Sequence, residues 1–208
     1  MKAHNQETQT QMTPSSSIQE LKKGNIRFLE QREHTRNLLQ QVEETSTGQY
    51  PFATILSCID SRVPPELIFD QGIGDLFSIR IAGNLANEDI LGSMEFASKL
   101  AGTKLIVVLG HTACGAVKGA CDQVKLGNLT GLLEKIKPAV DSVSRPQDKS
   151  LRNSGNIDFV NEVAEKNIHM TIANIRSLSP ILVEMEKNRE LKIIGGMYDI
   201  KTGAVTFY

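Results

Sequence analysis

The sequence predicts an α/β fold: a single domain with a central, mainly parallel β-sheet flanked by helices, and an N-terminal helical arm. Three observations carry this expectation. Short β-branched runs alternate with stretches of helical periodicity throughout, the pattern of parallel strands joined by crossover helices. The run Leu105 to Leu109 is apolar at every position, which marks a strand covered on both faces and therefore near the sheet centre. With 208 residues, 40% hydrophobic and 23% charged, the chain can bury the core of one domain.

Residues 1–16 hold almost nothing to bury and read as a loose tail, so the domain is expected over 17–208. Ser17 and Glu20 have capping-box spacing, and Ile18, Leu21, Phe28 and Leu29 approximate one helical face through Glu30. That helix is the expected arm. His34 to Gln49 is polar apart from Leu38 and Leu39 and leads into a strand over Phe52 to Leu56. Proline suits a first helical turn, so Pro64-Pro65 opens a short helix, Pro65 to Phe69. After the turn Gln71 to Asp75 come a strand, Leu76 to Ile81, and a helix, Asn87 to Leu100, with Ile90, Met94 and Ala97 on one face. Phe96 points away from that face and calls for burial by something else, such as a neighbouring chain.

Beyond the central strand, Leu129, Leu132, Leu133, Ile136 and Val140 make one helical stripe. Val160, Ala164, Ile168, Ile172 and Ile175 make another, with a loop over Ser144 to Gly155 between them. Ser179-Pro180 starts a helix from Ile181 to Asn188. A strand over Leu191 to Tyr198, a turn near Thr202-Gly203 and a last strand over Ala204 to Phe207 complete the chain.

Lys and Arg number 23 against 24 Asp and Glu, for a formal net charge of -1. No basic stripe recurs, so nucleic acid is not an expected partner. Neither is a membrane, because every apolar run falls well short of the ~20 residues a spanning helix needs. The polar start of the chain lacks the apolar centre of a signal peptide, which favours the cytoplasm, or the periplasm if a signal has been removed. The 3 cysteines suggest no disulfide framework and fit a reducing compartment.

Chemistry concentrates in two runs, each directly after a strand: Cys58-Ile59-Asp60-Ser61-Arg62 and His111-Thr112-Ala113-Cys114. Strand ends are where open α/β sheets place their ligands. Singly, Cys58 and Cys114 read as small buried residues and His111 as a polar group satisfied by backbone. Jointly they offer three zinc ligands, with the fourth position open to water or to Asp60. A purely structural zinc site fits less well, because such sites pair two knuckles of Cys or His. An Asp60–Arg62 ion pair would hold the carboxylate off the metal and aim a free lone pair at a metal-bound hydroxide. His4, His34 and His169 lie in polar surroundings that suit solvated or capping roles, and Cys121 reads as a small buried residue.

Cys-x-Asp-x-Arg, then Arg80-Ile81-Ala82-Gly83-Asn84, then His-x-x-Cys-Gly occur here in the order and spacing of the β-class carbonic anhydrases, which this chain resembles. The resemblance runs from the Leu21 to Phe28 helix to the Gly195 to Asp199 strand. It implies one Zn2+ per chain on Cys58, His111 and Cys114, with Asp60 as a further ligand only in a closed state. It also implies reversible hydration of carbon dioxide to bicarbonate by attack of zinc-bound hydroxide, with Asp60 and Arg62 as the catalytic pair.

In one variant of the family, bicarbonate bound beside a Trp promotes the closed state. Ile55 occupies that position here, although Arg80 and Tyr198 match other members of the pocket. Gln49, Phe77 and Phe96 fall where the plant-type variant lines its substrate pocket, and Val63 and the Gly115 N–H are plausible additions. In the family the pocket is shared across a homodimer, and dimers pair into tetramers. Hydrolysis of carbonyl sulfide or carbon disulfide on the same scaffold is the nearest alternative. A non-catalytic zinc- or anion-binding protein is another, but such a protein has no need of Asp60, Arg62 and Gln49. Two thiolates neutralise Zn2+, so the site should acidify water less than a three-histidine site, with activity rising above about pH 7.

Overall fold

The computed structural model describes residues 2–208. Its five strands are β1 (Ala53–Ser57), β2 (Leu76–Arg80), β3 (Leu105–His111), β4 (Lys192–Tyr198) and β5 (Val205–Phe207). They form one sheet in the order β2-β1-β3-β4-β5, parallel except for β5, which returns antiparallel along β4. The all-apolar run Leu105 to Leu109 thus forms the middle strand, with β1 on one side and β4 on the other. Because β1 and β3 are parallel and in register from Ala53↔Leu105 to Ser57↔Leu109, Cys58 and the turn after His111 emerge at the same sheet edge.

Helices cover both faces. Below lie α2 (Pro14–Leu29) and α4 (Pro65–Ile68), with Leu21, Ile68 and Phe69 packed on Ile55, Val107, Leu109 and Tyr198. On the other face are α5 (Glu88–Glu95), α9 (Ile157–Leu178) and α10 (Pro180–Lys187). Their Leu91, Ile168, Ile172 and Leu182 meet Leu56, Ile106 and Val108. Helix α9 sits close on the sheet because β3 and β4 present Gly110 and Gly195. A Cβ at either would fall 2.7 Å from Ile168. Truncating the fully buried Ile168 to alanine should therefore cost about 2–5 kcal/mol. A third cluster joins α9 to α6 (Gly115–Cys121), α7 (Gly127–Glu134) and α8 (Lys137–Ser142), and contains Cys58 and Cys114.

Several expectations are corrected. The tail expected to be loose contains α1 (Gln6–Gln11), whose cap Asn5 accepts from Thr8 N. The helix is docked: the amide of buried Gln9 donates to the carbonyls of Pro51 (2.7 Å) and Ala101 (2.8 Å), and His4 lies against the Phe52 ring. Helix α2 begins at Pro14, capped by Thr13 with Ser16 rather than by Ser17, whose side chain is buried. The polar segment 34–49 holds α3 (Leu38–Thr45), seated by fully buried Gln41, which accepts from Ile73 N. The stripe from Leu129 to Val140 is two helices, and the helix from Asn87 runs into a π-type turn over Phe96–Leu100.

Asp70, almost fully buried, joins these N-terminal elements to the domain. Arg27 of α2 and Arg36 both donate to its carboxylate, as does His34 N. Burial alone would push its pKa up, but the hydrogen bonds from Arg36 and then Arg27 prevail and hold it below the usual carboxylate value. No helix among the described residues is long and apolar enough to cross a membrane.

Candidate metal centre

The strand ends deliver the three predicted ligands to one point. Cys58 Sγ, Cys114 Sγ and a ring nitrogen of His111 all lie within 4.8 Å of one another, and all three residues are buried. The two sulfurs are 4.0 Å apart and unbridged. His111 Nδ1 lies 2.9 Å from the Thr112 carbonyl. A carbonyl can only accept, so Nδ1 carries the proton and the Nε2 lone pair is free. That Nε2 is buried without a hydrogen-bond partner, a costly arrangement unless a cation takes the lone pair. Two soft sulfurs and one imidazole nitrogen are a donor set that fits Zn2+.

The hydrogen bond between the two thiols holds Cys58 well below the ordinary thiol range, with lesser help from the Gly83 N–H. The same contact, together with burial, pushes Cys114 up. Cys121 lies in the same core but outside the ligand group, its thiol pushed up to about 11 by burial.

Asp60 and Arg62 form the predicted pair. Arg62 Nε and Nη2 reach the two carboxylate oxygens at 2.9 and 2.7 Å, and Arg62 N adds a bond at 3.0 Å. The Arg62 hydrogen bond is the main reason the Asp60 pKa lies far below the usual carboxylate range. Asp60 Oδ2 is 3.9 Å from His111 Nε2, so the ionised carboxylate borders the ligand cluster while its guanidinium partner faces solvent. Arg80 fixes the loop from behind, donating to the carbonyls of Cys58 (3.0 Å) and Asp60 (2.6 Å).

Beside the ligands opens a mostly apolar cavity of about 260 Å³, bounded by Cys58, Ile59, Asp60, Gly115, Leu129 and Leu133 among others. Of the five residues expected to line the substrate pocket, Gly115 is here. Within one chain the other four are not. Val63 is fully buried beneath the sheet. Phe77 and Phe96 meet edge-on, 6.2 Å between centroids, in an open groove with Ser78, Glu88 and Asp89. Gln49 lies in another depression, with Thr45 and Gly74.

Two residues that the sequence reading left unremarked also touch the loops. Asn161 Oδ1 accepts from Ala113 N (2.8 Å), and Asn167 Nδ2 donates to the Gly83 carbonyl (2.8 Å). Both sit in a helix whose apolar stripe is its only sequence signal, and nothing in their spacing from the ligands announces the contacts.

Residues 53–205 match a family model described as carbonic anhydrase. The chain belongs to the β-class carbonic anhydrases. Carbonic anhydrase 2 of Mycobacterium tuberculosis is 34% identical over 196 residues, spanning 91% of this chain and 90% of its own. The carbonic anhydrase of Mycolicibacterium smegmatis is 30% identical over 198 residues, with 92% of each chain covered. Among solved structures, the β-carbonic anhydrase CcaA superposes with a TM-score of 0.71 at 28% identity, over 93% of this chain and 88% of that one. One of two tetrameric β-carbonic anhydrases from Sordaria macrospora shares the fold, with a TM-score of 0.68 at 23% identity, over 81% and 89%. As a β-class carbonic anhydrase the chain is an enzyme of the carbonate dehydratase class of lyases. The predicted α/β architecture is that of its structural neighbours.

Proposed function

We propose that this carbonic anhydrase hydrates carbon dioxide reversibly to bicarbonate and a proton, using one zinc ion per chain held by Cys58, His111 and Cys114. The observation that carries this reading is the buried, partnerless His111 Nε2 facing two buried sulfurs beside an ionised Asp60. Zinc bound there would supply Lewis acidity and a water acidified by coordination.

The protein's own residues do the rest. Arg62 keeps Asp60 ionised, so the carboxylate can accept a hydrogen bond but cannot donate one. A water or hydroxide beside the ligands is thereby oriented with its proton toward Asp60 and its lone pair toward the cavity. The bidentate grip of Arg62 engages both oxygens of Asp60 and would make the carboxylate less available as a further ligand to a bound zinc. The mostly apolar cavity suits a small molecule without a dipole and disfavours bicarbonate, which aids product departure.

Gln49, Phe77 and Phe96 would enter this picture through a second copy of the chain. Phe96, Leu38, Leu39 and Leu67 are all more than half exposed, large apolar side chains that burial between protomers would cover. A homodimer with its pockets shared across the interface follows, and the tetrameric fold neighbour is consistent with dimers pairing again.

Stopped-flow carbon dioxide hydration by zinc-loaded protein, from about pH 6.5 to about pH 9, tests the reading. Zinc-dependent turnover that rises with pH and vanishes in Cys58→Ser is the expected result. No hydration by fully metallated protein at any pH would sink the proposal.

A further inference from the structure

We infer that helix α9 is the template of the metal centre, with Asn161 positioning the loop that bears His111 and Cys114, and Asn167 positioning the Gly83 turn that donates to Cys58. This rests on the reading of Cys58, His111 and Cys114 as metal ligands and goes beyond it by saying what holds them in place. The ligands come from two turns that β2 and α5 separate along the chain; pairing of β1 with β3 brings the strand ends together, but the turns beyond the strands need a further reference. The turn between His111 and Cys114 and the Gly83 turn that backs Cys58 are both conformationally unusual. Ala113 has φ 54, and the turn that reaches Cys58 contains Gly83 at φ 73 and Asn84 at φ 44. A residue other than glycine in this left-handed region costs energy and persists only where neighbours fix it.

One asparagine fixes each turn. Asn161 accepts from the N–H of Ala113, between His111 and Cys114. Asn167 donates to the Gly83 carbonyl, and the N–H of the same Gly83 donates to Cys58 Sγ at 3.4 Å. Asn167 is almost fully buried, so its amide has no solvent alternative. The helix bearing both is itself fixed by contacts that owe nothing to the metal, because Ile168 and Ile172 lock it to the sheet where Gly110 and Gly195 let it approach. Partners behind the ligands commonly govern affinity in this way, and losing one typically costs about 10- to 100-fold.

Cobalt(II), loaded into the full-length chain in place of zinc, gives a readout independent of turnover. Asn161→Leu removes the acceptor, Asn161→Asp keeps it, and Asn167→Asp removes the donor. The expected result is cobalt affinity, measured by chelator competition, lower by about 10- to 100-fold in Asn161→Leu and near wild type in Asn161→Asp. Asn167→Asp should bind more weakly too, and its thiolate-to-cobalt charge-transfer band should move to lower energy as the Gly83 hydrogen bond to sulfur loosens. Wild-type affinity and spectrum in all three folded variants would overturn the inference. So would equal losses in the two Asn161 variants, which would signal a general structural defect. If Asn167→Asp does not fold, the Asn161 pair still decides. Wild-type protein that shows no thiolate-to-cobalt band would instead overturn the metal reading, and this inference with it.

Discussion

The loops that carry Cys58, His111 and Cys114 and the surfaces around Gln49, Phe77 and Phe96 differ in how far one chain completes them. At the loops every element is in place: three buried side chains able to hold a metal, a bidentate ion pair, and backing from Arg80, Asn161 and Asn167. Gln49 and the aromatic pair lie in two separate open depressions, neither of which includes a ligand. Binding a metal demands fixed geometry, which a packed interior supplies. Enclosing a small apolar substrate demands only covered surface, which a second chain can supply as well as the first.

If the two regions are separable in this way, substitutions should divide between them. The largest effect belongs to Cys58→Ser, which should lower hydration to the level of metal-free protein and abolish metal uptake. Next, Asp60→Asn should reduce kcat by about 10²- to 10⁴-fold, the usual range for a positioned proton acceptor, while the protein still binds one zinc by elemental analysis. Retained activity in this variant would remove the carboxylate from the mechanism.

Asp70→Asn tests the N-terminal side. Breaking a buried charged cluster should cost about 3–5 kcal/mol of stability in denaturant unfolding. The pH dependence follows from the sign of the shift. A carboxyl whose folded pKa is depressed stabilises fully above its unfolded pKa of about 4, and that contribution is lost as pH falls through the folded pKa. Asp70→Asn should therefore flatten the acid limb of stability against pH. An unchanged limb would mean that other carboxylates dominate it.

The smallest expected effect is also the most diagnostic. Phe96→Ala should lower kcat/KM by about tenfold, as for a pocket that loses apolar contact, without altering metal affinity. Mixing Phe96→Ala with Cys58→Ser subunits should restore part of the activity, because a mixed dimer regains one complete site. Absence of any restoration in subunits shown to exchange would place Phe96 in the pocket of its own chain, or in none.

Legibility in the sequence follows the same division. Strands were readable because burial on both faces writes itself as a run, as at Leu105 to Leu109, and the Cys58, His111 and Cys114 cluster because two strand-end runs of metal-binding residue types stand out jointly where each residue alone reads as ordinary. Helix α1 was not readable: what holds it is Gln9 reaching the carbonyls of Pro51 and Ala101, a tertiary contact with no local trace. Helix α3 was hidden because Leu38, Leu39 and Val42 remain exposed in the single chain and show no inward stripe. Asn161 and Asn167 look like ordinary polar residues on a helix, and only the fold reveals what they hold.

The order of these parts along the chain has a consequence for biogenesis. Cys58, His111 and Cys114 all leave the ribosome before α9, and β4, which flanks the central strand, follows later still. A nascent chain therefore displays Cys58, His111 and Cys114 before it owns the helix inferred to set them. Metal captured at that stage would be held loosely and exchange freely, and firm loading would wait for the end of synthesis.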